Sequence, residues 1–148
     1  MRTAATIRQA YVDNLEAEFA QGKRLIRHAA PELVEAAEIK LRGEAIDPAL
    51  FKRAAAELLG QPDGERIDTV VLACTHFPLV QQELAAAFGR EIAFVDGSAG
   101  IARRIAHLTQ GQPFMRTKPD YAVFTGGPVD PAILPALVHF GLEQAEIF

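Results

Sequence analysis

Tryptophan is absent, methionine occurs twice and cysteine once, at Cys74, in a chain of 148 residues. A single thiol excludes an intrachain disulfide and every zinc site built on a cysteine cluster. Such sparing use of cysteine points to a reducing compartment, and the expected location is the cytoplasm. The 11 glycines and 9 prolines are too few for a collagenous or low-complexity chain. No apolar run approaches the roughly 18 residues of a membrane span. The leading segment carries Arg8, Asp13 and Glu16 and lacks the apolar core of a signal peptide. The 15 basic side chains are outnumbered by 19 acidic ones, a net charge of −4 at pH 7. That balance does not favour nucleic acid, whose binding rests on Lys and Arg meeting phosphates. Neither a nucleic-acid nor a membrane partner is expected.

What is present is ordinary globular composition, 49% apolar and 23% charged. A chain of this length can bury about 68–70% of its unfolded surface without a disulfide or metal. Ile7, Tyr11, Leu15 and Phe19 recur every four residues and predict a helix that ends at Gly22. Leu25-Ile26 suits a brief strand. Pro31 opens a second helix with Leu33, Val34, Ala37 and Leu41 inward and Gly43 as its stop. Asp47-Pro48 caps a third, with Leu50, Phe51, Ala54, Leu58 and Leu59 inward. Residues 60–66 form a loop.

From residue 68 the pattern changes. Asp68 to Cys74 is a short β-branched run, read as a strand buried on both faces and closed by Cys74. Pro78 restarts a helix through Leu79, Val80, Leu84 and Phe88. Ile92 to Val95 is a second strand. Ser98 is read as the cap of a helix carrying Ile101, Ala102, Ile105 and Leu108. Tyr121 to Phe124 is a third strand, and a last helix spans 133–140, with Pro135 tolerable only in its first turn. Strands alternating with helices predict an α/β fold, a parallel sheet flanked by helices. A doubly wound sheet ordinarily begins with a strand, whereas this chain enters helices first, as though an upstream strand were missing.

Ligands collect at the carboxyl ends of parallel strands. Three such ends carry adaptable residues here: Cys74-Thr75-His76, Asp96-Gly97-Ser98 and Thr125-Gly126-Gly127. The first is the sharpest. A thiol beside an imidazole and a helix start can become a thiolate, so Cys74 with His76 suits proton transfer or nucleophilic attack. A buried, inert cysteine beside a satisfied histidine remains the plainer alternative. Asp96-Gly97-Ser98-Ala99-Gly100 lacks the lysine and spacing of a phosphate loop. His28, His107 and His139 have no partners at metal-ligand spacing and read as structural; no metal is expected.

Together these motifs resemble one family. Val71-Leu72-Ala73-Cys74-Thr75-His76-Phe77-Pro78-Leu79 is similar to the second cysteine motif of glutamate racemases. Phe94 to Ala102 resembles the strand and helix that follow it there. Ala30 to Glu38 resembles that family's proline-bearing helix, Thr3-Ala4-Ala5-Thr6 its paired threonines, and Phe124 to Pro128 its closing strand and turn. The resemblance covers essentially the whole chain, in order.

The resemblance implies the carboxyl-terminal half of a cofactor-independent enzyme that interconverts L- and D-glutamate for peptidoglycan. Its fold would be the second lobe of a two-lobed racemase plus the returning end of the first. Residues 1–95 would form the lobe bearing the Cys-Thr-His motif. Residues 96–148 would pack in the other lobe, mostly absent here. Cys74 and His76 would be catalytic, and Thr75, Thr3, Thr6 and Glu38 would bind substrate. The family's first half brings an Asp-Ser element and another cysteine, in a Cys-Asn-Thr-like turn, and neither is present. The expectation is therefore a truncated form, its partners glutamate and either an amino-terminal racemase half or further copies of itself. A non-catalytic amino-acid- or anion-binding lobe, a racemase acting on aspartate, and a Cys/His hydrolase remain open. An incomplete sheet of this kind would leave apolar surface exposed.

Overall fold

A computed structural model describes residues 13–14, 16–18, 20, 22–115 and 117–148. Residues 13–14 and 16–18 are helical; Ile7, Tyr11, Leu15 and Phe19 lie outside the described residues. The chain divides into two compact units. The first comprises the described residues up to Ala37 together with Ile46–Asp96; the second comprises Glu38–Ala45 and Gly97–Phe148.

In the first unit, helix α1 (Glu32–Leu41) begins just after Pro31. Its last residues, from Glu38, group with the second unit. Leu33, Ala36 and Ala37 are its buried residues, and Gly43, at φ 73°, takes the left-handed turn beyond it. Helix α2 (Pro48–Leu59) opens as its sequence dictates, with the Asp47 carboxylate accepting the Ala49 N–H at 2.9 Å and proline in the first turn. It buries Phe51, Ala54 and Ala55.

Strand β1 (Thr69–Val71) pairs in parallel with β2 (Ala93–Val95), and helix α3 (Gln81–Phe88) connects them. Val70 and Phe94 are register partners, and both pack against the core formed by α1, α2 and α3. Full burial of a large core side chain such as Phe51 or Val80 contributes about 1.5–3 kcal/mol.

Two expectations need correction here. β1 is not buried on both faces: Val71 is 60% exposed and its partner Val95 46%. Among the described residues the sheet has two strands, and helices cover one face of it. Nor is Leu25-Ile26 a strand; residues 23–30 carry no regular secondary structure.

The second unit repeats the strand–helix–strand plan. β3 (Tyr121–Phe124) runs parallel to β4 (Gln144–Ile147), joined through helix α5 (Leu134–His139). Pro135 is the second residue of α5, where its missing N–H costs no helix bond. The β4 strand was not anticipated. Helix α4 (Ser98–Leu108) starts at Ser98, with Gly97 rather than Ser98 in the cap position. None of its residues is buried, and Ile101, Ile105 and Leu108 stand 62%, 56% and 59% exposed. Among the described residues, no helix is long and apolar enough to cross a membrane.

The fold is thus α/β, with short parallel sheets flanked by helices.

Candidate active site

Parallel pairing of β1 and β2 sets their carboxyl ends at one edge, where the chain turns off as Cys74-Thr75-His76 and as Asp96. The ladder's last bond there is the Leu72 N–H to the Val95 carbonyl, 2.8 Å. The next N–H, of Ala73, bends back to the Val71 carbonyl at 3.0 Å. Cys74 therefore does not close the strand; it sits in a bend beyond it. The Phe77 N–H then meets the Cys74 carbonyl at 3.2 Å, fixing the turn.

Within this turn the Cys74 Sγ lies 3.9 Å from Nδ1 of His76, partly buried. The Thr75 Oγ1 approaches the same nitrogen at 3.5 Å. Cys74 and His76 are half-buried and Thr75 is exposed. An alternating arrangement i, i+2 across a turn thus brings thiol and imidazole to one side, with access from solvent.

The helix start expected at Pro78 is different in kind. Phe77–Val80 is a single 3₁₀ turn, and the α-helix begins only at Gln81. So short a turn aligns few peptide dipoles, which weakens the anion-attracting terminus expected beside the thiol.

The other residues named from sequence are not all gathered here. Thr3 and Thr6 lie outside the described residues. Glu38 is half-buried on α1, in the part of that helix that groups with the second unit. Asp96-Gly97-Ser98 and Thr125-Gly126-Gly127 follow β2 and β3 directly, as strand-end turns, and are exposed.

One grouping escaped the sequence reading. One ligand atom each of His28, Glu32 and Glu57 lies within 4.8 Å of the others. His28 and Glu32 are four residues apart, a spacing visible in the sequence; Glu57 arrives only through the packing of α2.

No protein-family model matches the chain. The glutamate racemase of Sphingopyxis alaskensis is 53% identical over 146 residues, covering 97% of this chain and 54% of that protein. That of Vibrio vulnificus is 34% identical over 148 residues, with 99% and 54% covered. The crystal structure of Escherichia coli glutamate racemase in complex with L-glutamate and activator UDP-MurNAc-ala matches with a TM-score of 0.81 and 33% identity. It covers 99% of this chain and 55% of that one. The isoform RacE1 from Bacillus anthracis, at 20% identity and a TM-score of 0.66, shares the fold. The chain spans about half the length of the curated relatives it matches. With sequence identity running along nearly its whole length and a fold that follows theirs, this chain is a homologue of the glutamate racemases.

Proposed function

We propose that this chain carries one of the two proton-transferring groups of a cofactor-independent glutamate racemase, and that the group is Cys74. The observation that carries the reading is the 3.9 Å approach of the Cys74 Sγ to His76 Nδ1 at a strand-end edge. The 53% identity to a glutamate racemase supports the substrate class.

The Cys74 thiolate takes the α-proton of glutamate. The C–H bond breaks, its electron pair stays on the α-carbon, and the proton becomes the Cys74 S–H. Inversion then needs a proton delivered to the opposite face, and one group cannot face both sides of one carbon. This chain has one cysteine. The second group is contributed by a polypeptide supplying the remainder of the family's length. His76 holds or relays the proton on Cys74. Thr75, with Thr3, Thr6 and Glu38, contacts the substrate's carboxylate or ammonium group. The product, D-glutamate, serves peptidoglycan synthesis in the cytoplasm.

The test is proton exchange in deuterated water, followed by NMR at the α-position of L- and D-glutamate. The chain alone should wash deuterium into one enantiomer without inverting it, and Cys74→Ser should stop the exchange. Adding the complementary half should restore inversion, read by polarimetry. Absence of exchange and of inversion, alone or with that half, would reduce the chain to an amino-acid-binding lobe. Inversion by the chain alone would place both proton groups within it and make His76 the second.

A further inference from the structure

The segment before α1 is tied to the far end of α2 by polar contacts. Arg24 pairs with Asp63, and the Gln61 Nε2 donates to the Arg27 carbonyl at 3.1 Å. Next to Arg27 in the chain is His28, whose side chain is only 18% exposed. Its Nε2 is buried and has no hydrogen-bond partner. A carboxylate oxygen of Glu57, Oε2, pairs with it across 3.4 Å without forming a hydrogen bond.

That separation is too long for a good N–H···O bond, which centres near 2.9 Å. It matches the ligand-to-ligand edge of a tetrahedral metal site, since bonds of about 2.1 Å at a tetrahedral centre set ligand atoms about 3.4 Å apart. Glu32 completes a three-sided set, with one atom of each residue within 4.8 Å of the others. A buried imidazole nitrogen without a hydrogen-bond partner is costly unless something occupies it. A cation between imidazole and carboxylates would satisfy the nitrogen and neutralise both glutamates.

We propose that His28, Glu32 and Glu57 bind one divalent cation of the borderline class, with Zn²⁺ the best match. One imidazole nitrogen and two carboxylates suit such an ion better than Mg²⁺, which prefers an all-oxygen, strictly octahedral shell. Three protein ligands leave a position for water. The ion would clamp residues 22–30 onto α1 and α2, a structural role separate from the chemistry of Cys74.

The experiment is calorimetric titration of the full chain with Zn²⁺, and with Mg²⁺ in parallel. Cys74 and His76 are the competing zinc ligands, so the Cys74→Ser chain is titrated as well. The expected result is one Zn²⁺ site, retained in Cys74→Ser and weakened about tenfold or more by His28→Gln and by Glu57→Gln. Glu57 is exposed enough that Glu57→Gln leaves folding intact, which circular dichroism checks. Binding that vanishes in Cys74→Ser but survives both ligand variants would overturn the proposal. So would the lack of any Zn²⁺ binding, or equal binding of Mg²⁺.

Discussion

Phe88 and Phe94 meet edge to face, their ring centroids 5.9 Å apart and their planes inclined at 66°. One closes α3 and the other sits at the middle of β2, so this contact joins helix to sheet in the first unit. Edge-to-face pairs add roughly 0.5–1.5 kcal/mol beyond the area they bury. Phe88 is 7% exposed. Phe88→Ala should destabilise the chain by about 3–5 kcal/mol, read as a lower urea midpoint at unchanged slope. A loss below about 1 kcal/mol would mean the pair is not part of the core.

The Asp47 carboxylate holds the Ala49 N–H at the start of α2. Asp47→Ala removes that acceptor and should cost about 1 kcal/mol in thermal or denaturant unfolding. Asp47→Ser keeps a capping oxygen and should recover most of the loss.

Gly64 is buried where the chain turns under α2. A Cβ there would press into the Leu59 carbonyl and come within 2.9 Å of the Leu58 carbonyl oxygen. Both are backbone atoms that cannot step aside as a flexible side chain would. Gly64→Ala should therefore destabilise by about 1–3 kcal/mol, as overpacking does. A neutral result in a melting series would show that the turn relaxes freely.

Removing the thiol and removing the imidazole should have unequal effects. Loss of a group that transfers the proton directly costs roughly 10²–10⁴-fold. Cys74→Ser should lower deuterium entry at the glutamate α-carbon by at least that lower bound. His76→Gln should reduce it less, because the thiol remains and only the imidazole beside it is lost. Unchanged exchange in His76→Gln would leave His76 without a part in the proton transfer.

Ile105 is 56% exposed on α4. Ile105→Glu should change unfolding free energy by no more than about 0.5 kcal/mol, the usual range for surface positions. The same substitution should lower binding of a hydrophobic dye, since it interrupts the stripe of Ile101, Ile105 and Leu108. A large destabilisation would mean that this face is covered in solution, and sedimentation would then reveal the association.

Much of this fold is written locally. Asp47-Pro48 announces a helix start through a cap and a first-turn proline, and the structure has both. Tyr121 to Phe124 is a strand at the residues expected. Pro135 falls in the first turn of α5, the only place its geometry is cheap. The failures share a cause. Gln144–Ile147 does alternate polar with apolar residues, but over only four positions of which just Ala145 is half-buried, too short a run for period to separate strand from loop. The run before Cys74 looks doubly buried because it is apolar throughout, yet Val71 faces outward. Apolar content states what a strand can tolerate on each face, whereas coverage depends on what packs there. At the site, the Cys74–His76 pairing was legible because two residues of separation suffice for contact across a turn. The meeting of Glu57 with His28 was not, because 29 positions separate them.

Every deeply buried apolar side chain among the described residues lies between Ala30 and Phe88. Amide hydrogens in α2 and α3 should consequently be the slowest to trade with solvent, opening only when the whole first unit unfolds. Those of α4, β3 and β4 have no such anchor and should exchange through smaller, more frequent excursions. A protease would find its first cuts there, so the polypeptide should yield a durable fragment long before it is fully digested.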